Sequence, residues 1–108
     1  MQYNKVGEIM YKIMIVEDDE VISKKLELFL KSWNYDVCRV VDFYNVMDAF
    51  QSYNPDLVLM DITLPYLNGY LWTEKIREES KVPIIFISSA TDNMSIVMAI
   101  SKGADDFV

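Results

Sequence analysis

Short runs of aliphatic residues alternate with longer helical patterns along most of the chain. The runs lie at residues 11–16, 36–41, 56–60, 83–88 and 104–108, and helical patterns fall between them at 20–33, 43–52, from about 69, and 92–102. This alternation is typical of βαβ units, in which helices connect parallel strands. The run Ile84-Ile85-Phe86-Ile87 is apolar at every position, as expected of a strand covered on both faces. The sequence therefore predicts an α/β fold with a doubly wound sheet.

The helical patterns carry apolar positions that we expect to face the core. In the first three these are Ile22, Leu26, Phe29, Leu30 and Trp33, then Val46, Met47 and Phe50, then Trp72 and Ile76. Asp19 is suited to cap the start of the first helix, and Asn34 suits the left-handed residue that ends it. The pair Asn68-Gly69 is a turn signal before the third helix.

Length and composition restrict the class of protein. The 108 residues suffice for one small domain, and no stretch approaches the roughly 20 apolar residues of a membrane span. A net charge of −7 argues against nucleic-acid binding by this segment. The absence of histidine and the single Cys38 argue against zinc, imidazole-based triads and an internal disulfide.

The first nine residues lack apolar periodicity and an apolar signal-peptide core. We expect residues 1–9 to be a leader or a disordered N-terminus and residues 10–108 to form the domain. Without a secretory signal or a membrane span, a cytoplasmic location is expected.

Polar residues follow three apolar runs at the point where each predicted strand ends. Glu17 and Asp18 follow the first, Asp61 ends the third, and Ser88 ends the fourth. Parallel strands place their carboxyl ends at one edge of the sheet, where ligands bind. Crowded carboxylates without His or Cys ligands favour Mg²⁺, which also binds substrate phosphate. Asp61 is then placed to attack phosphorus, and the Ser88 hydroxyl to hydrogen-bond a bound phosphoryl group.

Together these motifs resemble the receiver domains of bacterial two-component response regulators. The resemblance covers residues 11–108 and includes the segments Ile15-Val16-Glu17-Asp18-Asp19, Asp56-Leu57-Val58-Leu59-Met60-Asp61, Leu64-Pro65, Asn68-Gly69, Pro83-Ile84-Ile85-Phe86-Ile87-Ser88 and Gly103-Ala104-Asp105-Asp106-Phe107. It implies a three-layer, flavodoxin-like sandwich with a parallel five-stranded sheet in the order 2-1-3-4-5.

The resemblance also implies roles for particular residues. Asp61 would accept a phosphoryl group from a sensor histidine kinase. Glu17, Asp18 and Asp61 would hold Mg²⁺, together with the backbone carbonyl of Thr63.

Two further residues match the switch positions of the family. Ser88 corresponds to its switch hydroxyl and Phe107 to its switch aromatic. Phosphorylation would alter the surface formed by helix four and strand five, through which a complete, phosphorylated domain is expected to form homodimers.

The segment from Asp61 to Tyr70 looks most like that of regulators with a winged-helix output, particularly those of bacitracin-type peptide resistance. DNA binding is then expected from a downstream domain missing from this chain. The chain is expected to be truncated in strand five, before the family's phosphate-contacting lysine and before the last helix.

Two other functions remain open from the sequence. A haloacid-dehalogenase-type phosphohydrolase also uses a strand-end Asp and Mg²⁺, but it needs a second Asp where Thr63 stands. A receiver-like interaction module that never carries phosphate is opposed by the presence of Glu17, Asp18, Asp61 and Ser88.

Overall fold

The main feature of the fold is a five-stranded parallel sheet. The structure, a computed structural model, describes residues 2–3, 7, 9–87 and 106–107, the pairs 2–3 and 106–107 by their backbone alone. The strands of this sheet are β3 (Lys12–Val16), β4 (Asp36–Arg39), β5 (Leu57–Asp61), β6 (Ile84–Ile87) and β7 (Asp106–Phe107). Their order, β4-β3-β5-β6-β7, confirms the expected 2-1-3-4-5 arrangement.

Helices cover both faces of the sheet. They are α1 (Glu20–Ser32), α2 (Val46–Tyr53) and α3 (Gly69–Arg77). Successive side chains of a strand point to opposite faces, so Met14 and Val16 join one core cluster and Ile13 and Ile15 join another. The α2 and α3 helices pack on the first cluster and α1 on the second, which makes the sheet doubly wound.

The α1 helix starts where the sequence predicts, but the prediction of which of its side chains face the core is partly wrong. The Asp19 side chain caps the helix by accepting hydrogen bonds from the N–H groups of Val21 (2.9 Å) and Ile22 (3.2 Å). Asn34 has the predicted left-handed backbone, with φ +67°.

Three residues of the predicted stripe face solvent. Ile22, Phe29 and Trp33 are 46%, 61% and 65% exposed. The helix contacts the sheet along the line of Leu26 and Leu30, which pack against the second core cluster. A stripe as wide as the predicted one extends beyond this line, so its edge residues are left uncovered.

The other two helices begin close to their predicted positions. The α2 helix starts at Val46, three residues later than expected, because Asp42 holds the residues before it in a turn. Its carboxylate accepts hydrogen bonds from the Tyr44 N–H (3.1 Å) and the Asn45 amide (2.8 Å). The Asn68 side chain caps α3 by accepting from the N–H of residue 71 at 3.0 Å.

The N-terminal residues contain a feature that the sequence did not predict. The strand β1 (Gln2–Tyr3) pairs antiparallel with β2 (Ile9–Met10). Two such short strands show no apolar alternation, so pattern alone gave no signal for them. Within the segments described, no helix combines the length and apolar character needed to cross a membrane.

Candidate functional site

Three carboxylates meet at the carboxyl edge of the sheet. The register pairs Val16 of β3 with Met60 of β5, so the next residues, Glu17 and Asp61, emerge side by side. Asp18 follows directly, and ligand oxygens of all three side chains lie within 4.8 Å of one another. The parallel register therefore produces the convergence that the sequence pattern suggested.

The carboxylates line an open cavity of about 620 Å³. Its walls are formed by Glu17, Asp18, Asp19, Ile22, Leu26, Asp61, Thr63 and Ile87. The α1 side chains Ile22 and Leu26 form an apolar wall that sequence reasoning assigned to the core rather than to a site. Their position follows from Asp19, which starts α1 at the rim of the cavity.

Burial and neighbouring acidic groups raise the pKa of two side chains in the acidic cluster. Burial, followed by the hydrogen bond with Asp61, raises the pKa of Glu17 from its ordinary 4.5 to about 8. Burial likewise raises the pKa of Asp61, although its hydrogen bond with Glu17 opposes this. At neutral pH the Glu17 carboxyl therefore keeps its proton and donates a hydrogen bond to the Asp61 carboxylate.

The donor set fits a hard divalent cation. Three carboxylates supply only oxygen ligands, the preference of Mg²⁺, and the charge of a bound cation would favour the ionised form of Glu17, which burial and the hydrogen bond with Asp61 disfavour. The backbone N–H of Asp19 donates to the Glu17 carboxylate at 3.3 Å, which helps to orient this side chain.

The loop after β5 fixes the position of Asp61. This residue is only 8% exposed, and one of its carboxylate oxygens accepts a hydrogen bond from the Thr63 N–H at 3.2 Å. The Gly69 N–H closes the loop by donating to the Ile62 carbonyl at 2.8 Å.

Gly69 also lies directly against the backbone of Asp61. A Cβ atom at residue 69 would collide with the carbonyl oxygen of Asp61. Sequence reasoning identified the Asn68-Gly69 pair only as a turn signal. Nothing in that dipeptide shows that the glycine packs against Asp61, because the contact depends on how the loop closes.

The structure places the remaining candidate residues to different extents. Thr63 lines the cavity, as its proposed carbonyl ligand requires. Ser88 lies outside the described residues, directly after the end of β6. The backbone of Phe107 pairs with Phe86 in the sheet, but its side chain lies outside the description. The predicted fourth helix, residues 92–102, also lies outside it.

Comparison with known proteins identifies the class of protein. Residues 13–108 match the response regulator receiver domain family. The chain belongs to this family, and it is thus a receiver domain of a two-component system, a module of phosphorylation-controlled signalling.

Relatives and solved structures give the same assignment. The chain is 42% identical over 97 residues to the response regulator protein GraR of Staphylococcus aureus (strain JH9). The match covers 90% of this chain and 43% of GraR, so the chain spans less than half the length of that relative.

Two solved structures share the fold. The N-terminal domain of the nisin resistance regulator NsrR, a lantibiotic response regulator, is 48% identical, with a TM-score of 0.83 and coverage of 93% of this chain and 85% of that one. The BeF3-activated receiver domain of Klebsiella pneumoniae RstA is 28% identical, with a TM-score of 0.86 and coverage of 90% and 83%.

Proposed function

We propose that Asp61 is the phosphoacceptor of this domain and that Mg²⁺ binds beside it. The observation that carries this proposal is the convergence of Glu17, Asp18 and Asp61 within 4.8 Å around a buried aspartate. Glu17, Asp18 and Asp61 would supply carboxylate ligands, and Thr63 its backbone carbonyl. When bound, Mg²⁺ would neutralise charge on the transferring phosphoryl oxygens.

In the proposed transfer, a carboxylate oxygen of Asp61 attacks the phosphorus of a phosphohistidine on a sensor kinase. The new O–P bond forms as the P–N bond breaks, and the bond electrons leave with the imidazole. The Thr63 N–H holds one Asp61 oxygen, so the carboxylate is oriented before the donor arrives. Release of the Glu17 proton to solvent through the open cavity would first leave Asp61 free of that hydrogen bond.

The chain itself is then a phosphoacceptor rather than an enzyme with a separate substrate. We propose that Ser88 hydrogen-bonds the phosphoryl group and that Phe107 responds to it. The added charge of roughly −1.5 to −2 would change the surface formed by the predicted fourth helix, residues 92–102, and the last strand of the sheet, β7. This change would favour homodimers through that surface.

We propose that the protein containing this domain regulates transcription in the cytoplasm. Its DNA contacts would be made by a downstream winged-helix domain. Similarity to a lantibiotic response regulator supports a signal connected with antimicrobial peptides. The acidity of this segment, with net charge −7, favours DNA contact elsewhere in the protein.

Phosphorylation by a small donor tests this function without a cognate kinase. The full-length protein, incubated with acetyl phosphate and Mg²⁺, should gain one phosphoryl group by intact mass. Hydroxylamine should remove the group because acyl phosphates are electrophilic, and chelation of Mg²⁺ with EDTA should prevent its addition. No mass increase, or a modification stable to hydroxylamine, would contradict the proposal.

A further inference from the structure

Two exposed tyrosines stack on each other beside the site. The ring centroids of Tyr44 and Tyr66 are 3.4 Å apart, with an angle of 20° between the rings, although the residues are 65% and 61% exposed. Tyr44 lies between β4 and α2, and Tyr66 lies between β5 and α3. Because β4 and β5 flank β3 in the sheet, the pair links the loops on either side of the strand that precedes Glu17.

The Tyr66 backbone needs a restraint. Its φ is +71°, in the left-handed region that glycine adopts readily but that is unfavourable for a residue with a bulky side chain. An exposed ring would normally leave such a residue free to return to an ordinary conformation. Stacking on the ring of Tyr44 opposes this, and stacked aromatic pairs stabilise beyond the area that they bury.

Tyr44 is the better anchored partner. Its N–H donates to the Asp42 carboxylate at 3.1 Å, and the neighbouring Phe43 packs against the core cluster beneath α2 and α3.

The loop restrained by this contact is the one that forms part of the site. It starts at Asp61, passes through Thr63 at the cavity wall, and ends at the Asn68 cap of α3. Tyr66 is three residues beyond Thr63. The side chains on either side, Leu64 and Leu67, are only half-buried, so their packing leaves the middle of the loop partly exposed.

We propose that Tyr44 is a positioning residue for the metal site. By stacking on Tyr66, Tyr44 holds residues 62–67 in a conformation that places Thr63 at the cavity wall. In this conformation the Thr63 N–H donates to the Asp61 carboxylate. Breaking the stack releases the loop, and the proposed carbonyl ligand then spends less time in place. This inference rests on the proposed function, because it assigns Thr63 as a ligand of Mg²⁺.

The test compares three variants of the full-length protein. Tyr44→Ala removes the stack, and Tyr44→Phe keeps the ring but removes the hydroxyl. Phe29→Ala removes an exposed aromatic contact between α1 and Trp33, the residue that follows this helix. The measurements are Mg²⁺ affinity by calorimetry, amide hydrogen exchange of residues 62–67 without metal, and thermal unfolding.

Tyr44→Ala should weaken Mg²⁺ binding about three- to tenfold, the effect expected of losing one aromatic pair, and should speed exchange in the loop. Tyr44→Phe should stay within about twofold of the unmodified protein because the rings still stack. Phe29→Ala should change neither quantity. A purely structural role would lower the melting temperature of Tyr44→Ala and leave the Mg²⁺ affinity of the folded protein unchanged.

Tyr66→Gly provides a second disruption of the stack, which serves if Tyr44→Ala fails to fold. Glycine adopts the left-handed backbone readily, so this variant removes the ring without adding backbone strain. It should also weaken Mg²⁺ binding.

Unchanged affinity and exchange in the folded stack-breaking variants would overturn the proposal, as would a loss in Tyr44→Phe equal to that in Tyr44→Ala. Failure of the unmodified protein to bind Mg²⁺ would instead reject the metal site itself. Exchange without metal would then still test whether the stack restrains the loop.

Discussion

Replacement of Gly69 by alanine is expected to lower the free energy of unfolding by about 3 kcal/mol or more, the upper range for overpacking a filled site. The added Cβ would collide with the carbonyl oxygen of Asp61, and residue 69 is itself buried. The atoms that the Cβ would meet belong to the backbone, and the backbone of residue 69 fixes the position of the Cβ, so no side-chain rotation relieves the collision. The loop or the end of β5 must move, and we expect phosphorylation by acetyl phosphate to be lost as Asp61 moves.

Asn68→Ala is the matched control for this prediction. It removes the side-chain cap of α3 at the neighbouring position, a change that typically costs about 1 kcal/mol, and places no atom against Asp61. Urea unfolding and acetyl phosphate labelling of both variants should show loss of phosphorylation only in Gly69→Ala. Normal stability and labelling of Gly69→Ala would show that the loop accepts a methyl group there, against this description of the site.

Asp61→Asn is expected to abolish phosphorylation while stabilising the fold at alkaline pH. The pKa of Glu17 is 4.5 ordinarily and about 8 in the fold, so between these values the folded protein keeps a proton that the unfolded chain releases. The free energy of unfolding of the metal-free protein therefore falls as the pH rises from about 4.5 to about 8. Removing the neighbouring anion weakens this fall.

Denaturant unfolding at pH 5, 7 and 9 without metal measures the effect. The increase in the free energy of unfolding caused by Asp61→Asn should be largest at pH 9, where Glu17 is ionised. We expect an increase on the order of 1 kcal/mol, because solvent screens charges in a partly exposed cluster. Saturating Mg²⁺ should stabilise the unmodified protein more than the variant. Asp48→Asn, which neutralises an exposed carboxylate on α2, should not alter the pH dependence. Equal pH dependence in Asp61→Asn and the unmodified protein would contradict the assigned electrostatics.

The sequence predicted the features that follow from local periodicity and from the geometry of parallel strands. The apolar run 84–87 and its helical neighbours were sufficient for the doubly wound sheet. Once the strands were parallel, Glu17 and Asp61 had to emerge at one edge. Trp72 and Ile76 are predicted to be buried, and they are, because both lie on the face of α3 that packs against the core.

The features that the sequence did not predict depend on contacts between distant segments. The solvent exposure of Phe29 and Trp33 depends on where α1 lies over the sheet, which helical spacing does not specify. The Gly69 contact with Asp61 and the stacking of Tyr44 on Tyr66 both depend on loop closure. Such contacts leave no periodic signal, and therefore require the folded chain to be recognised.

Locating the phosphoryl group within the protein tests the central claim most directly. The phosphorylated full-length protein is reduced with borohydride, which converts an aspartyl phosphate to homoserine, and is then digested and sequenced by tandem mass spectrometry. We predict homoserine at residue 61 and unmodified side chains at Glu17, Asp18 and Asp19. Homoserine at Asp18 or Asp19, or a phosphoryl group retained elsewhere with Asp61 intact, would contradict the assignment of Asp61 as the phosphoacceptor.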